Sequence, residues 1–204
     1  MIINWYGHSC FKIANQGGHL VIIIDPFDKG VGLNPPKGNA DIIAVSRNHK
    51  DHNNIKAMSG EPFIINGPGE YEVKNIRIIG VSSFQNTIYL IETDGIRICH
   101  LGDLRQERLT DRQLEAIGQV DVLMAPVGGG ETIGAKEAAK ISKQIEPQII
   151  IPMRYKLPGL KENLAGVDEF LKEMGLEEKT AVDKLTLKKK DFTNGGMEVV
   201  VMKI

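Results

Sequence analysis

Val45-Ser-Arg-Asn-His-Lys-Asp-His52 decides how this chain is read. The stretch directly follows the apolar run Asp41-Ile-Ile-Ala-Val45 and holds two of the five histidines, with an aspartate between them. A short apolar run that ends in such a loop reads as a buried strand presenting His49, Asp51 and His52 at a sheet edge. Imidazole and carboxylate together suit zinc, manganese or iron. The plainer reading of the same residues is a polar loop with an Asx-type turn.

Composition narrows the setting. At 204 residues the chain, taken as one domain over 1–204, is long enough for a single well-packed core. A hydrophobic share of 42% and a charged share of 25% are those of an ordinary globular protein. The formal net charge of −1 gives no electrostatic reason to expect nucleic acid or an anionic membrane as partner. Lys188-Lys-Lys190 is the one basic run, and it reads as a solvated turn between two strand-like segments. Cys10 and Cys99 form no CxxC pair and sit in strand-like stretches as small buried hydrophobes. The first residues lack a signal-peptide pattern, and no apolar run approaches the ~18 residues that cross a bilayer. A cytoplasmic, unprocessed chain is the expectation, with an oligomer left open.

Outward from the histidine loop, the first half reads as a succession of strands: 2–6, 10–14, 19–24, 41–45, 62–65, 71–73, 76–81, 88–93 and 96–100. Pro26 ends the third of these, leaving Asp25 at the rim. Segment 28–39, with three glycines and two prolines, is a loop long enough to cover something. Residues 67–71 read as a glycine-rich turn, and Asp94-Gly95 as a hairpin. The second half interleaves helices with strands. Thr110 is an N-cap candidate for a helix bearing Leu114 and Ile117. Residues 133–145 and 167–174 are the other helices; 120–125, 148–151, 185–187 and 197–202 are strands, the last two split by an Asn194-Gly195-Gly196 turn. Pattern alone gives α+β or α/β.

The loop resembles the signature of the metallo-β-lactamase superfamily, Thr/Ser-His-x-His-x-Asp-His. Ser46, His49, Asp51 and His52 match it, while Arg47 stands where the first histidine belongs. Five further blocks in order are similar to one branch, the small metal-dependent hydrolases related to L-ascorbate-6-phosphate lactonases. They are Gly7-His8-Ser9-Cys10-Phe11, Asp25-Pro26-Phe27, His100-Leu101-Gly102-Asp103, Pro126-Val127-Gly128-Gly129 and Ile151-Pro152-Met153 with Tyr155. The resemblance implies a four-layer αββα sandwich and a site for two metals. His49, Asp51, His52 and Asp103 are then the remnant metal ligands, Asp51 being catalytic only if a metal is bound. Arg154 stands where that branch has its last histidine, and 81–86, which includes Gln85, lacks the histidine of the corresponding loop.

Arginine stays protonated and offers no lone pair, so it cannot ligate. With three histidines missing, one zinc or manganese remains conceivable on Asp51, His52 and Asp103, but no tightly bound metal is the leading expectation. Arg47 and Arg154 are expected to pair with Asp51 and Asp103 in place of the lost cations. His8, Asp25 and Gln85 are expected to line the site, with Glu70, Gln85 or His100 as possible recruited ligands. His100 otherwise points into the fold. The glycines at 128–130 suit either an anion at the following helix or simple backbone crowding. Two functions stay open: a non-catalytic protein whose arginines bind a small anion, and a hydrolase of an ester, lactone or phosphoester working with one metal.

Overall fold

The computed structural model describes residues 1–192 and 195–204. Its strands are β1 (Ile2–Trp5), β2 (Phe11–Ala14), β3 (Val21–Ile24), β4 (Gly38–Asn39), β5 (Ile42–Ala44), β6 (Met58–Ser59), β7 (Phe63–Ile65), β8 (Gly69–Val73), β9 (Ile76–Ser83), β10 (Asn86–Thr93), β11 (Ile96–His100), β12 (Val122–Pro126), β13 (Ile149–Met153), β14 (Leu185–Thr186) and β15 (Glu198–Val199). The helices are α1 (Asp111–Ile117), α2 (Ala135–Ile145) and α3 (Val167–Glu173). Two sheets result, ordered β14-β1-β2-β3-β5-β7 and β15-β13-β12-β11-β10-β9-β8, with β4 and β6 paired apart from them.

Alternation along the central strands sets the layers. Ile22, Ile24, Ile42 and Ala44 face the second sheet in one continuous core with Tyr89, Ile91, Ile98 and Met124. Ile23, Ile43 and Val45 face the other way and meet Phe27, Leu33 and Ala40 in a smaller cluster. Both faces are buried, which is why these parallel strands read as unbroken apolar runs.

All three α-helices belong to the second sheet: α1 packs on β9, and α2 packs on β12 and on α3. Thr110 caps α1 as the sequence suggests, in a full capping box with Gln113. The expected α/β sandwich is present, and the outer face of its first sheet has a cover of its own kind. Among the described residues it is covered by the 3-10 turns Lys29–Val31 and Ile55–Ala57 and by the β4–β6 pair, not by an α-helix. The composition of 28–39 explains this, since its prolines and glycines oppose helix formation.

Element ends shift elsewhere for local reasons. Gly69–Tyr71 joins β8 and is not a turn. Strand β13 runs through Pro152, which is tolerated because β15 pairs only with Ile149 and Ile150. Helix α2 starts at Ala135, after Gly134. The strand expected over 197–202 is confined to Glu198–Val199. The expected turn at Asn194 lies outside the described residues. Lys189 of the basic run reaches Asp121 at 3.1 Å. No helix among the described residues is long and apolar enough to cross a membrane.

The two sheets are tied at their common rim by polar contacts. Tyr89, fully buried on β10, donates its hydroxyl hydrogen to the Val45 carbonyl at 2.8 Å, and the Thr87 amide donates to the Ser46 carbonyl at 2.9 Å. Tyr89→Phe leaves that carbonyl without its hydroxyl donor and is expected to cost about 1–2 kcal/mol. The melting temperature should fall by roughly 2–8 °C for a chain of this size, measured by calorimetry. An unchanged melting temperature would mean that this hydroxyl does not join the sheets.

Candidate metal centre

Strands β1, β3 and β5 run in one direction and so end at one rim; β11, β12 and β13 likewise end together. The segments that follow these strands supply His8, Asp25, Arg47 with Asp51 and His52, Asp103, Glu131, and Arg154. Three of these residues, His8, Asp25 and Arg154, hold left-handed backbone at φ of 50°, 48° and 51°. The remaining non-glycine residues with positive φ lie in hairpin turns or after α2. Such conformations carry a cost of order 1 kcal/mol or more, and they concentrate where side chains must be aimed.

Asp25 is fully buried and accepts hydrogen bonds from the amide and hydroxyl of Ser46, both at 2.7 Å. Its Oδ2 also lies 3.0 Å from His52 Nδ1. His52 is itself fully buried, and among the described residues neither ring nitrogen makes a hydrogen bond of good geometry; Nδ1 has only the 3.0 Å ion-pair contact to Asp25, and Nε2 has no group nearer than 3.6 Å among its carboxylate neighbours. The nearest carboxylate oxygens are Asp51 Oδ1 at 3.7 Å and Asp103 Oδ1 at 3.6 Å. Burial works to lower the His52 pKa, but Asp25, Asp103 and Asp51 together outweigh it and raise it to about 10. Without a metal, His52 is therefore an imidazolium that a cation would have to deprotonate.

Asp103, also fully buried, faces three guanidinium groups. Arg47 reaches Oδ2 at 2.5 Å, Arg105 reaches Oδ2 at 3.0 Å, and Arg154 Nε lies 3.4 Å from Oδ1. Burial pushes its pKa upward, yet the neighbouring His52 imidazolium and the charge of Arg154 hold it well below the usual carboxylate range. The expected arginine pairing thus falls on Asp103 alone; Asp51 turns instead to histidines. Its Oδ1 is hydrogen-bonded by His49 Nδ1, and its Oδ2 lies 4.0 Å from His8 Nε2. Burial raises the Asp51 pKa, while His52, His49 and His8 lower it further than that, so it stays ionised.

Arg154, 1% exposed, donates to Thr132 Oγ1 at 2.8 Å and to Glu162 Oε1 at 2.6 Å. His8 Nε2 sits 3.3 Å from Arg154 Nε and 3.2 Å from Glu162 Oε2, contacts that demand opposite protonation of that nitrogen. Burial lowers the His8 pKa, favouring the neutral ring. Above the cluster opens a cavity of about 250 Å³, lined by His8, Arg47, Asp51, Glu131, Arg154 and Glu162 among others.

Of the four remnant ligands, Asp51 and His52 converge, and His8 joins them: one ligand atom from each lies within 4.8 Å of the others. His49 stays outside this group, 45% exposed, and steadies Asp51. Asp103 borders the group but is engaged by the arginines. None of the three possible recruits is at hand. Glu70 pairs with Arg77 on exposed β8, and Gln85 occupies the exposed tip of the β9–β10 hairpin and does not line the cavity. His100 uses Nε2 to donate to the Ser9 carbonyl and Nδ1 to accept from the Gly102 amide. It is Asn86, next to Gln85, that reaches the site and accepts from the Asp103 amide at 2.8 Å. At Gly128 crowding explains the glycine, since a Cβ there would lie 2.4 Å from the Arg154 carbonyl oxygen.

The residues present do not fit two metals, because the guanidinium groups of Arg47, Arg105 and Arg154 occupy the surroundings of Asp103. They do fit one. Ligand atoms on a tetrahedral cation with bonds of about 2.0–2.1 Å stand roughly 3.4 Å apart; here one ligand atom from each residue lies within 4.8 Å of the others, with His52 Nε2 3.7 Å from Asp51 Oδ1 and His8 Nε2 4.0 Å from Asp51 Oδ2, so the three side chains must draw together to share an ion. The partnerless, fully buried Nε2 of His52 is the atom such an ion would satisfy.

The beta-lactamase superfamily domain matches residues 2–154. A UPF0173 protein of Pyrococcus furiosus is 31% identical, the match covering 85% of this chain and 90% of that one. A UPF0173 metal-dependent hydrolase of Thermococcus onnurineus is 28% identical, covering 75% of this chain and 84% of the other. Among solved structures, a Thermotoga maritima protein described as a Zn-dependent hydrolase of the metallo-β-lactamase superfamily is 39% identical over 100% of both chains, with a TM-score of 0.84. Igni18, a metallo hydrolase of Ignicoccus hospitalis, is 18% identical with a TM-score of 0.67, covers 92% of this chain and 99% of that one, and shares the fold. With the superfamily domain spanning strands β1 to β13 and the UPF0173 proteins aligned along most of its length, the chain belongs to the metallo-β-lactamase superfamily.

Proposed function

We propose that this chain is a metal-dependent hydrolase built around one divalent cation, zinc or manganese, held by His8, Asp51 and His52. The observation that carries the reading is the convergence of these three side chains on a buried imidazole nitrogen that lacks a hydrogen-bond partner. Charge balance supports it over an open anion pocket. Asp25, Asp51, Asp103, Glu131 and Glu162 bring five carboxylates against the guanidinium groups of Arg47, Arg105 and Arg154, so every arginine is already matched, and two negative charges are left over once His52 gives up its proton to coordinate. A dication offsets that remainder; a bare anion adds to it.

When bound, the cation supplies Lewis acidity and makes a water acidic enough to attack an ester, lactone or phosphoester. The protein's own groups do the rest. Asp25, fixed by Ser46, orients His52 through Nδ1, leaving Nε2 turned toward Asp51. Asp51 is kept ionised by its histidine neighbours and held by His49. Arg154, rigid among Thr132, Glu162 and Asp103, presents fixed positive charge beside the centre, where negative charge develops during acyl or phosphoryl transfer.

Chelator-treated protein titrated with zinc and with manganese in a calorimeter should take up one cation per chain. His52→Gln and Asp51→Asn should each weaken that binding by 100-fold or more, since each removes one of three ligands. Equal heats from wild type and His52→Gln would refute the site. Asp25→Asn tests the orienting role separately: it keeps all three ligands and is expected to weaken the cation by about 10–100-fold. Cation-dependent cleavage of small aryl esters and phosphoesters, lost in Asp51→Asn, is the matching activity assay. A second reading has its own support, in that the imidazolium of His52 lies among Asp25, Asp51 and Asp103 with no metal required. Uptake of no cation above background would make the chain that charge-locked, non-catalytic member of the family.

A further inference from the structure

Glu131 is 66% exposed, yet its Oε2 lies 2.6 Å from Arg105 and 3.5 Å from Arg47. The same two guanidinium groups hold Asp103 Oδ2 on their inner side, at 3.0 and 2.5 Å. Arg47 and Arg105 are thus clamped between a buried carboxylate and an exposed one. The two sides differ in strength. Stripping a buried carboxylate of its partners is strongly destabilising, whereas an exposed ion pair is weak and easily exchanged. Glu131 also follows Gly129 and Gly130, both at φ of 74°, and meets both arginines through a single oxygen, the contact to Arg47 being long.

We propose that Glu131 is a displaceable stand-in for the phosphate of a small phosphorylated substrate, which docks on Arg47 and Arg105 in its place. The inference rests on the hydrolase reading, because it names the substrate class of that same centre. A phosphate presents several oxygens where Glu131 offers one, so each guanidinium can gain its own short, charge-assisted bond. A phosphate brings about one more negative charge than the carboxylate it displaces, and Lys50 and Lys161 at the border of the cavity are placed to offset that difference. Arg47 and Glu131 both line the cavity of about 250 Å³, which Lys50 and Lys161 also border. That volume admits a small metabolite and excludes a polymer from the interior.

The test is binding of inorganic phosphate to the full chain, stripped of divalent cations, by calorimetry at low ionic strength. Glu131→Gln removes the competing charge from an exposed position and should tighten phosphate about fivefold. Arg105→Met should weaken it about tenfold or more, while Arg112→Met, on the exposed face of α1, should match wild type. Phosphate binding that is no tighter in Glu131→Gln than in wild type overturns the proposal. So does an Arg105→Met protein that keeps its wild-type melting temperature and binds phosphate as well as Arg112→Met. Because no metal is present, these outcomes are independent of the cation count: loss of the cation site would leave the phosphate result standing, and the reverse holds too.

Discussion

Asp103 has no exposed surface and remains ionised, and the rim of this molecule is arranged to make that possible. Its backbone amide is held by Asn86 at the start of β10, and its carboxylate by Arg47 from the loop after β5, Arg105 from its own loop, and Arg154 from the end of β13. Both sheets therefore contribute to one buried charge. Gly102 permits the approach: with φ at +60°, a Cβ there would lie 2.4 Å from Asn86 Oδ1 and 2.5 Å from Ser46 Cβ. Guanidinium groups supply the positive charge around this one aspartate. Removing one of them would leave a carboxylate under-compensated in the interior, which costs more than the pair contributed when formed.

The guanidinium solution divides the centre into two chemically different halves. Around Asp103 the positive charge is covalently fixed and offers hydrogen bonds but no coordination. Around Asp51 and His52 there is no guanidinium partner, and the balancing charge must be either the proton on His52 or a cation in its place. His8 joins that second half from the β1–β2 turn, where its left-handed backbone aims the ring inward against Phe27 and His52. One set of strand ends thus carries a permanent charge lock and, beside it, an exchangeable site.

Much of this was legible in the sequence where local chemistry decides structure. Ile96–His100 runs from the Asp94-Gly95 hairpin as read, and α1 begins where Thr110 and Gln113 can cap each other. The histidine loop was found because its residues lie within a few positions of one another. Elements set by tertiary partners were not legible. Pro152 reads as a strand end, yet the strand continues because β15 is too short to need its amide. The cover of 3-10 turns over the first sheet among the described residues accords with the prolines and glycines of 28–39. At the site, Arg105 lies two residues beyond Asp103 and was within reach of a close reading. Glu131 and Glu162 carry no signal in their neighbours, since an exposed glutamate in a loop is ordinary. Only contacts across the chain, such as Glu162 to His8 and Arg154, give them meaning.

Arginine at positions 47 and 154, where the sequence resemblance implies histidine, reads in sequence like the loss of a metal site. In three dimensions it is a change in what the site can exchange. A ligand histidine binds an ion that can leave, whereas a guanidinium keeps its charge and trades only the anions around it. Asp103, buried and matched, is not free to be traded, but Glu131 and Glu162 are, being 66% and 35% exposed in their side chains on the cavity side of the same arginines. The direction of selectivity follows from that asymmetry. On the proposed reading cations compete for the histidine side and anions for the glutamate side, so a molecule carrying a phosphate next to a hydrolysable bond would meet both halves at once. On that reading neither half alone distinguishes such a molecule from an inorganic ion; the spacing between them would, and it is set by the segments that follow β5, β12 and β13.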